Sequence, residues 1–336
     1  MQTMPDTAAP LTEATITQQL AALAEVRKAI ARVIVGQDAV VEQLLVGLLA
    51  GGHCLLEGVP GLGKTLLVRS LSQALKLDFR RIQFTPDLMP SDILGTEILE
   101  EDHGTGHRSF KFQKGPVFTN LLLADELNRT PPKTQAALLE AMQEHTVSYA
   151  GTTWVLPEPF FVLATQNPLE QAGTYPLPEA QLDRFLLHIR VDYPTEAEER
   201  AIISQTTGAV GQAITAAMSG EEVLALQKLT RDVPLSDELL GWVTRLVRAT
   251  RPQDTAVPQV REWLRWGAGP RAGQSLALAA KARALLHGRY AVTRDDIRAL
   301  AGPVLRHRLL LSFAAEAEAR TADEVVAAVL EALPAP

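Results

Sequence analysis

The octet Gly58-Val59-Pro60-Gly61-Leu62-Gly63-Lys64-Thr65 reads G-x-x-x-x-G-K-T. It follows a short apolar run, Cys54 to Leu56, and precedes one with helical spacing, Leu66, Leu67, Leu71 and Leu75. Strand, glycine-rich turn and helix form the context in which this pattern cradles a phosphate chain. The glycines let the backbone wrap around a triphosphate without Cβ clashes. Successive N–H groups then converge on one spot, and the dipole of the following helix adds positive potential there. In such a loop Lys64 reaches the β- and γ-phosphates and the Thr65 hydroxyl ligates Mg²⁺. Gly58, Pro60, Gly61, Leu62, Gly63 and Leu66 are the other expected nucleotide contacts here.

A second element carries chemistry. Asn120 to Ala124 is an apolar run of strand length that ends in Asp125-Glu126, about 60 residues beyond the loop. Central parallel strands are apolar on both faces, and ligands bind beyond their carboxyl ends. The two acids are therefore expected beside the phosphates. Asp125 would hold the water shell of Mg²⁺, and Glu126 would accept a proton from the attacking water. Phe160 to Gln166 is another buried strand, ending in Asn167. An amide there can orient a water or touch the γ-phosphate; it can also simply form the turn before Pro168.

The 336 residues suffice for two domains, and 46% are hydrophobic, enough for a globular core. No uncharged apolar run is long enough for a membrane span. Met1 to Thr12 lacks the basic-then-apolar layout of a signal peptide. The single cysteine, Cys54, excludes an internal disulfide and suits a reducing cytoplasm, the expected location. It is expected to be a packed core thiol. The net charge of −7 argues against a general nucleic-acid binder. Residues 231–310, however, hold 14 basic and 7 acidic side chains. That section could face nucleic acid, a bound nucleotide or an acidic neighbouring subunit, or be a solvated helical surface.

Along the chain, residues 1–14 read as a loose tail and residues 15–194 as a nucleotide-binding α/β core. Two inserted β-hairpins are expected at about 93–117 and 147–155, the first with its tip at His103 to Gly106. A short helical turn fits Pro86 to Leu94. The glycines between His103 and His107 argue against a metal site there. After Pro194 strand-like runs stop, and residues 195–336 read as an all-helical domain. Helices are expected at 195–206, 220–230, 236–250, 258–266, 272–287, 293–301 and 322–332. Trp242, Trp263 and Trp266 are expected in the core. Arg271 would open the 272–287 helix at the end where a cation is a poor dipole partner, a hint of a nearby anion.

Taken together, Gly58–Thr65, Leu122–Gln135, Ala164–Pro168, Leu182-Asp183-Arg184-Phe185, Gly269-Pro270-Arg271 and Val304–Arg308 resemble the MoxR family of AAA+ ATPases. The resemblance covers roughly residues 20–310, and the run from Asp125 to Gln135 is its most family-specific part. It implies a P-loop core with a doubly wound parallel sheet, followed by a C-terminal all-helical lid, working as a ring, usually a hexamer. ATP would sit between core and lid. The resemblance makes Asn167 the first sensor and Arg271 the second. Arg184 becomes an arginine finger presented to a neighbour's γ-phosphate, with Arg129 as a second candidate. Val35 and Gly36 fall in the stretch that lines the adenine. The hairpins match inserts that face the ring axis and handle a client. Where relatives often have Ser before Pro270, this chain has Gly269.

The resemblance further implies Mg²⁺-dependent ATP hydrolysis that drives chaperone-like remodelling of protein clients, or cofactor or metal insertion. A partner with a von Willebrand factor A domain is expected. Three rivals remain: a chelatase motor subunit, which shares most of these motifs, a nucleic-acid motor of the same branch and a non-hydrolysing ATP-responsive scaffold. The hairpins carry no basic cluster for nucleic acid, and Glu126, Asn167 and Arg184 are all present for hydrolysis.

Overall fold

A computed structural model describes residues 13–101, 108–167, 173–207 and 214–336, with side chains from residue 16. Of the expected tail 1–14, residues 1–12 lie outside the described residues and the last two open a helix; the hairpin tip with His103 and His107, and Pro168, also lie outside them.

Two helices lead in: α1 (Glu13–Ala31) and α2 (Asp38–Leu49). Strand β1 (Cys54–Glu57) then enters the phosphate loop, and α3 (Lys64–Ala74) leaves it. Gly47 is where α2 crosses β1: a Cβ there would stand 2.4 Å from the Cys54 Sγ. Cys54 itself is fully buried, and burial pushes its thiol pKa up. Next come β2 (Phe79–Gln83) and the short α4 (Pro90–Leu94), which is the helical turn expected before the first hairpin.

Hairpin strands β3 (Gly95–Glu101) and β4 (Arg108–Lys114) pair antiparallel and stand out from the body. Their base needs glycine. Gly95 has φ +113°, and a Cβ on it would lie 2.3 Å from the Gln113 carbonyl oxygen. Strand β5 (Leu121–Asp125) is followed by α5 (Pro132–Glu144). The second hairpin, β6 (Thr146–Tyr149) and β7 (Thr152–Val155), turns through Ala150 and Gly151, both at positive φ. Phe112 of the first hairpin stacks on Trp154 of the second at 5.1 Å and lies 5.4 Å from Tyr149. The two inserts thus share one aromatic cluster.

Strand β8 (Phe161–Gln166), the turn α6 (Glu179–Leu182) and β9 (Leu187–Arg190) complete the sheet. Its order is β2-β5-β8-β1-β9, and every neighbouring pair is parallel. The expected parallel sheet is therefore present. The central strands are buried on both faces because they are apolar at nearly every position.

Beyond Pro194 the chain is mainly helical: α7 (Glu196–Thr207), α8 (Gly220–Asp232), α9 (Asp237–Ala249) and α10 (Pro258–Trp263). The helix expected over 258–266 stops at Trp263. Residues 264–266 form β10 (Leu264–Trp266), which pairs antiparallel, through an irregular step, with a later segment at Leu310 and Leu311. Extended backbone turns Trp266 outward, and it is 68% exposed rather than a core residue. Trp263 is half-buried, and Trp242 is fully buried with its Nε1–H donating to the Leu333 carbonyl at 2.9 Å.

The chain closes with α11 (Pro270–Leu286), α12 (Arg294–Leu305), β11 (Leu310–Leu311), α13 (Phe313–Ala317) and α14 (Ala322–Ala332). One apolar cluster runs without a break from α1 and α2 on one sheet face into α8, α9, α11 and α12. A second fills the other face under α5 and the hairpins. At the first junction Arg283 of α11 bridges Glu42 of α2 (2.7 Å) and the fully buried Asp296 of α12 (2.8 Å).

Candidate functional site

The carboxyl ends of β1, β5 and β8 open on one cavity of about 390 Å³, lined by Pro60, Gly61, Gly63, Lys64, Thr65, Arg81, Gln83, Asp125, Glu126 and Asn167. Parallel strands make this convergence unavoidable, because each hands its next residues to the same edge. Gly61 (φ +89°) and Gly63 (φ +72°) have open space where a Cβ would stand. That space is the cradle a phosphate needs. Lys64 begins α3, and its Nζ donates to the Gly58 carbonyl at 2.6 Å, spanning the loop. Partial burial lowers its pKa, while the carboxylates of Asp125 and Glu126 pull it back up.

The acid pair is held by neighbours on both sides. Asp125 Oδ1 accepts from the Thr165 hydroxyl at 2.6 Å. Asp125 Oδ2 accepts from Arg81, from Nη2 at 2.7 Å and Nε at 3.1 Å. The Glu126 N–H donates to Thr165 Oγ1 at 2.9 Å. Glu126 sits in the left-handed region at φ 59°, so the chain turns sharply just where its carboxylate enters the cavity. That carboxylate accepts from Gln83 Nε2 and lies 3.3 Å from Arg129 Nε. Asn167 is buried at the rim. Arg81 and Gln83 lie outside every motif of the sequence, and Thr165 lies within Ala164–Pro168 but has no role of its own there. Arg81 and Gln83 alternate along β2 and so share a face, but the sequence does not say that β2 pairs with β5.

The donors fit a hard dication. Asp125 and Thr65 offer a carboxylate and a hydroxyl in one cavity, the oxygen ligands Mg²⁺ prefers. Among the described residues no cluster of three or more His, Cys, Asp or Glu could hold another metal.

Sharing Pro60, Gly61 and Gly63, a second cavity of about 400 Å³ continues from the first. Its walls are Val33, Val35 and Leu66 on one side and Tyr193, Ile202, Ile203 and Thr206 on the other. It is a mostly apolar slot of the kind a flat base enters. The Gln37 amide donates to the Leu62 carbonyl at 3.0 Å and ties the α1–α2 joint to the phosphate loop. Gly36, at φ +74°, lets the Glu198 carboxyl of α7 come against the joint, within the space of a Cβ.

Arg184 and Arg271 lie elsewhere. They line a third cavity, of about 460 Å³, with Arg231, Arg308, Gly52 and His53. Gly52 and His53 precede β1, and Arg184 precedes β9, so this cavity sits at the amino ends of the parallel strands. The phosphate loop sits at their carboxyl ends, across four residues of strand, about 13 Å. Helix α7 walls the slot beside the phosphate loop, whereas Arg271, at the start of α11, lines the cavity at the opposite end of the strands. Arg271 Nη1 stands 3.7 Å from Asp183, so its poor dipole position is answered by an acid of the chain itself. No hydrogen bond or ion pair from the Arg184 side chain is seen among the described residues.

Comparison with known proteins converges on one group. Residues 53–187 match the model of the ATPase family associated with various cellular activities, and residues 259–329 match the AAA lid domain. The chain is 46% identical to chaperone MoxR1 of Mycobacterium tuberculosis, over 91% of this chain and 80% of that protein. It is 43% identical to the uncharacterized protein YeaC of Bacillus subtilis, over 91% and 92%. Protein MoxR of Paracoccus denitrificans is 32% identical over 84% and 87%. A crystal structure described as that of a candidate ATPase from Cytophaga hutchinsonii superposes with a TM-score of 0.88 at 40% identity, over 96% and 98%.

Proposed function

The chain belongs to the MoxR family of AAA ATPases, and from that membership we propose that it hydrolyses ATP at the carboxyl edge of its sheet to drive remodelling of a protein client. The observation that supports hydrolysis, beyond binding, is the meeting of Asp125 and Glu126 with Lys64 and Thr65 in one cavity.

Loop N–H groups and Lys64 bind the β- and γ-phosphates. Thr65, and Asp125 through water, would hold Mg²⁺, which would spread the phosphate charge. Glu126 takes a proton from a water whose oxygen attacks the γ-phosphorus, while the bond to the bridging oxygen breaks and ADP leaves. Thr165 fixes the backbone on which Glu126 turns, and Asn167 orients the water or the γ-phosphate. Val35 and Gly36 flank the base. Boundaries near Pro194 separate this core (15–194) from the helical domain (195–336).

Arg184 and Arg271 act on the site of a second copy. Their place at the opposite end of the strands favours this: neither reaches the cavity of its own chain. Such an arginine contributes on the order of 10³-fold or more in rate. Copies so arranged form a ring, a hexamer in this reading. The hairpins are its client surface, with Phe110 73% and Val155 70% exposed. A partner with a von Willebrand factor A domain and a cytoplasmic location complete the proposal.

Phosphate release with Mg²⁺ and ATP tests it. The wild-type chain should turn over, and Glu126→Gln should bind ATP yet lose about 10²–10⁴-fold in rate. Normal turnover in Glu126→Gln would sink the assignment of the base.

A further inference from the structure

Both carboxylate oxygens of Asp125 accept hydrogen bonds from side chains of the chain itself. One carboxylate oxygen accepts from Thr165, the other from two nitrogens of Arg81. A hydroxyl leaves the charge of a carboxylate in place; a guanidinium neutralises it. Arg81 is also held where it is, because its Nη2 donates to Gln83 Oε1 at 2.6 Å on the same strand face. It lines the cavity with Lys64 and Thr65, and its side chain is 45% exposed, so it has room to withdraw.

We propose that Arg81 is a tethered cation that occupies Asp125 in place of the hydrated metal and must be displaced when the metal–nucleotide complex binds. The proposal rests on the reading of Asp125 as the Mg²⁺ acid. The physical reason is competition for one charge. A dication drawn to Asp125 meets the guanidinium already spending that attraction, and two cations at one oxygen repel. Arg81 thereby sets the metal concentration at which the site loads. A chain without the guanidinium should load at lower metal.

A purely structural ion pair predicts something else. Losing it would alter unfolding and leave metal affinity alone. A phosphate-contacting arginine predicts a third result: affinity for nucleotide would fall when it is removed, with or without metal. The three are separated by one set of measurements.

Mn²⁺ binding is followed by electron paramagnetic resonance, with ADP saturating, for wild type, Arg81→Gln and Arg81→Lys. ADP binding in EDTA and thermal unfolding are measured alongside. The expected result is Mn²⁺ binding about fivefold tighter in Arg81→Gln, the scale of a half-exposed ion pair. Arg81→Lys should stay close to wild type, and ADP binding in EDTA should not change. Unchanged Mn²⁺ affinity in a folded Arg81→Gln would overturn the proposal, as would weaker Mn²⁺ or weaker metal-free ADP binding. If the wild-type chain binds ADP but gains no Mn²⁺ with it, the role of Asp125 fails instead.

Discussion

Arg308 and Asp183 form an ion pair with the arginine almost wholly enclosed: Nε stands 2.7 Å from Oδ1, and 2% of the Arg308 side chain is exposed. The same guanidinium donates to the Phe185 carbonyl at 2.7 Å and to the Ser275 hydroxyl at 3.2 Å. The chain just past α12 is thus bolted to both residues that flank Arg184, and to α11.

Arg308→Ala should therefore unfold more easily by about 3 kcal/mol, because it leaves Asp183 and enclosed carbonyls without their donor. Denaturant unfolding measures the loss. Arg308→Lys should recover only part of it, since an ammonium cannot reproduce the planar fork. A change within about 0.5 kcal/mol for Arg308→Ala would mean the enclosed guanidinium supports nothing.

Mixing decides whether Arg184 works on a neighbour. Arg184→Ala alone should lose about 10³-fold in phosphate release. Glu126→Gln subunits, inactive themselves, carry an intact Arg184. Adding them should restore part of the activity, and a flat response across all mixing ratios would count against a trans role.

Stability should fall in mild acid through His53. Its Nδ1 accepts from the Val162 N–H at 3.0 Å, so Nε2 carries the proton toward the Met142 carbonyl at 2.9 Å. Burial lowers its pKa to about 4, with His145 nearby also lowering it and the Met142 carbonyl opposing. The folded state therefore binds this proton less readily than the unfolded chain. Its stabilising effect is whole above about pH 6.5 and is lost as pH falls toward 4, about 2 kcal/mol between pH 7 and pH 5. His53→Gln should flatten that slope in unfolding measured at the two pH values; an identical slope would show that another group dominates.

Gly47→Ala places a Cβ 2.4 Å from the sulfur of the fully buried Cys54 and 3.5 Å from the Phe161 ring. The expected cost is about 1–3 kcal/mol in unfolding free energy. Cys54→Ala in the same chain should relieve part of it. Simple additivity of the two changes would contradict the contact.

The elements that local pattern could reveal were those whose chemistry lies along one stretch of chain. Gly58–Thr65 names its own turn, and Asp125 and Asn167 follow apolar runs whose carboxyl ends must meet in a parallel sheet. Arg81 and Thr165 stayed hidden because their roles come from strand order. Only the β2-β5-β8 neighbourhood brings them to Asp125. Trp266 misled through composition: an aromatic residue in a helical stretch reads as core, yet pairing with Leu310 pulls the backbone into extension and turns the ring outward. Arg271 was readable as a residue near a bound anion; neither Asp183 as its partner nor its side of the molecule was, because the packing of α11 on α2 is a long-range event.

The separation of the arginine cavity from the phosphate cavity by the length of β1 has a geometric consequence. If one face donates and the other receives, every contact between copies is head-to-tail, and no two-fold pair can satisfy both partners. Growth then stops only when rotation brings the last copy back to the first, and otherwise continues as an open helix. A chain stripped of one face alone would act as a terminator, engaging a neighbour on its remaining side while leaving the circuit open.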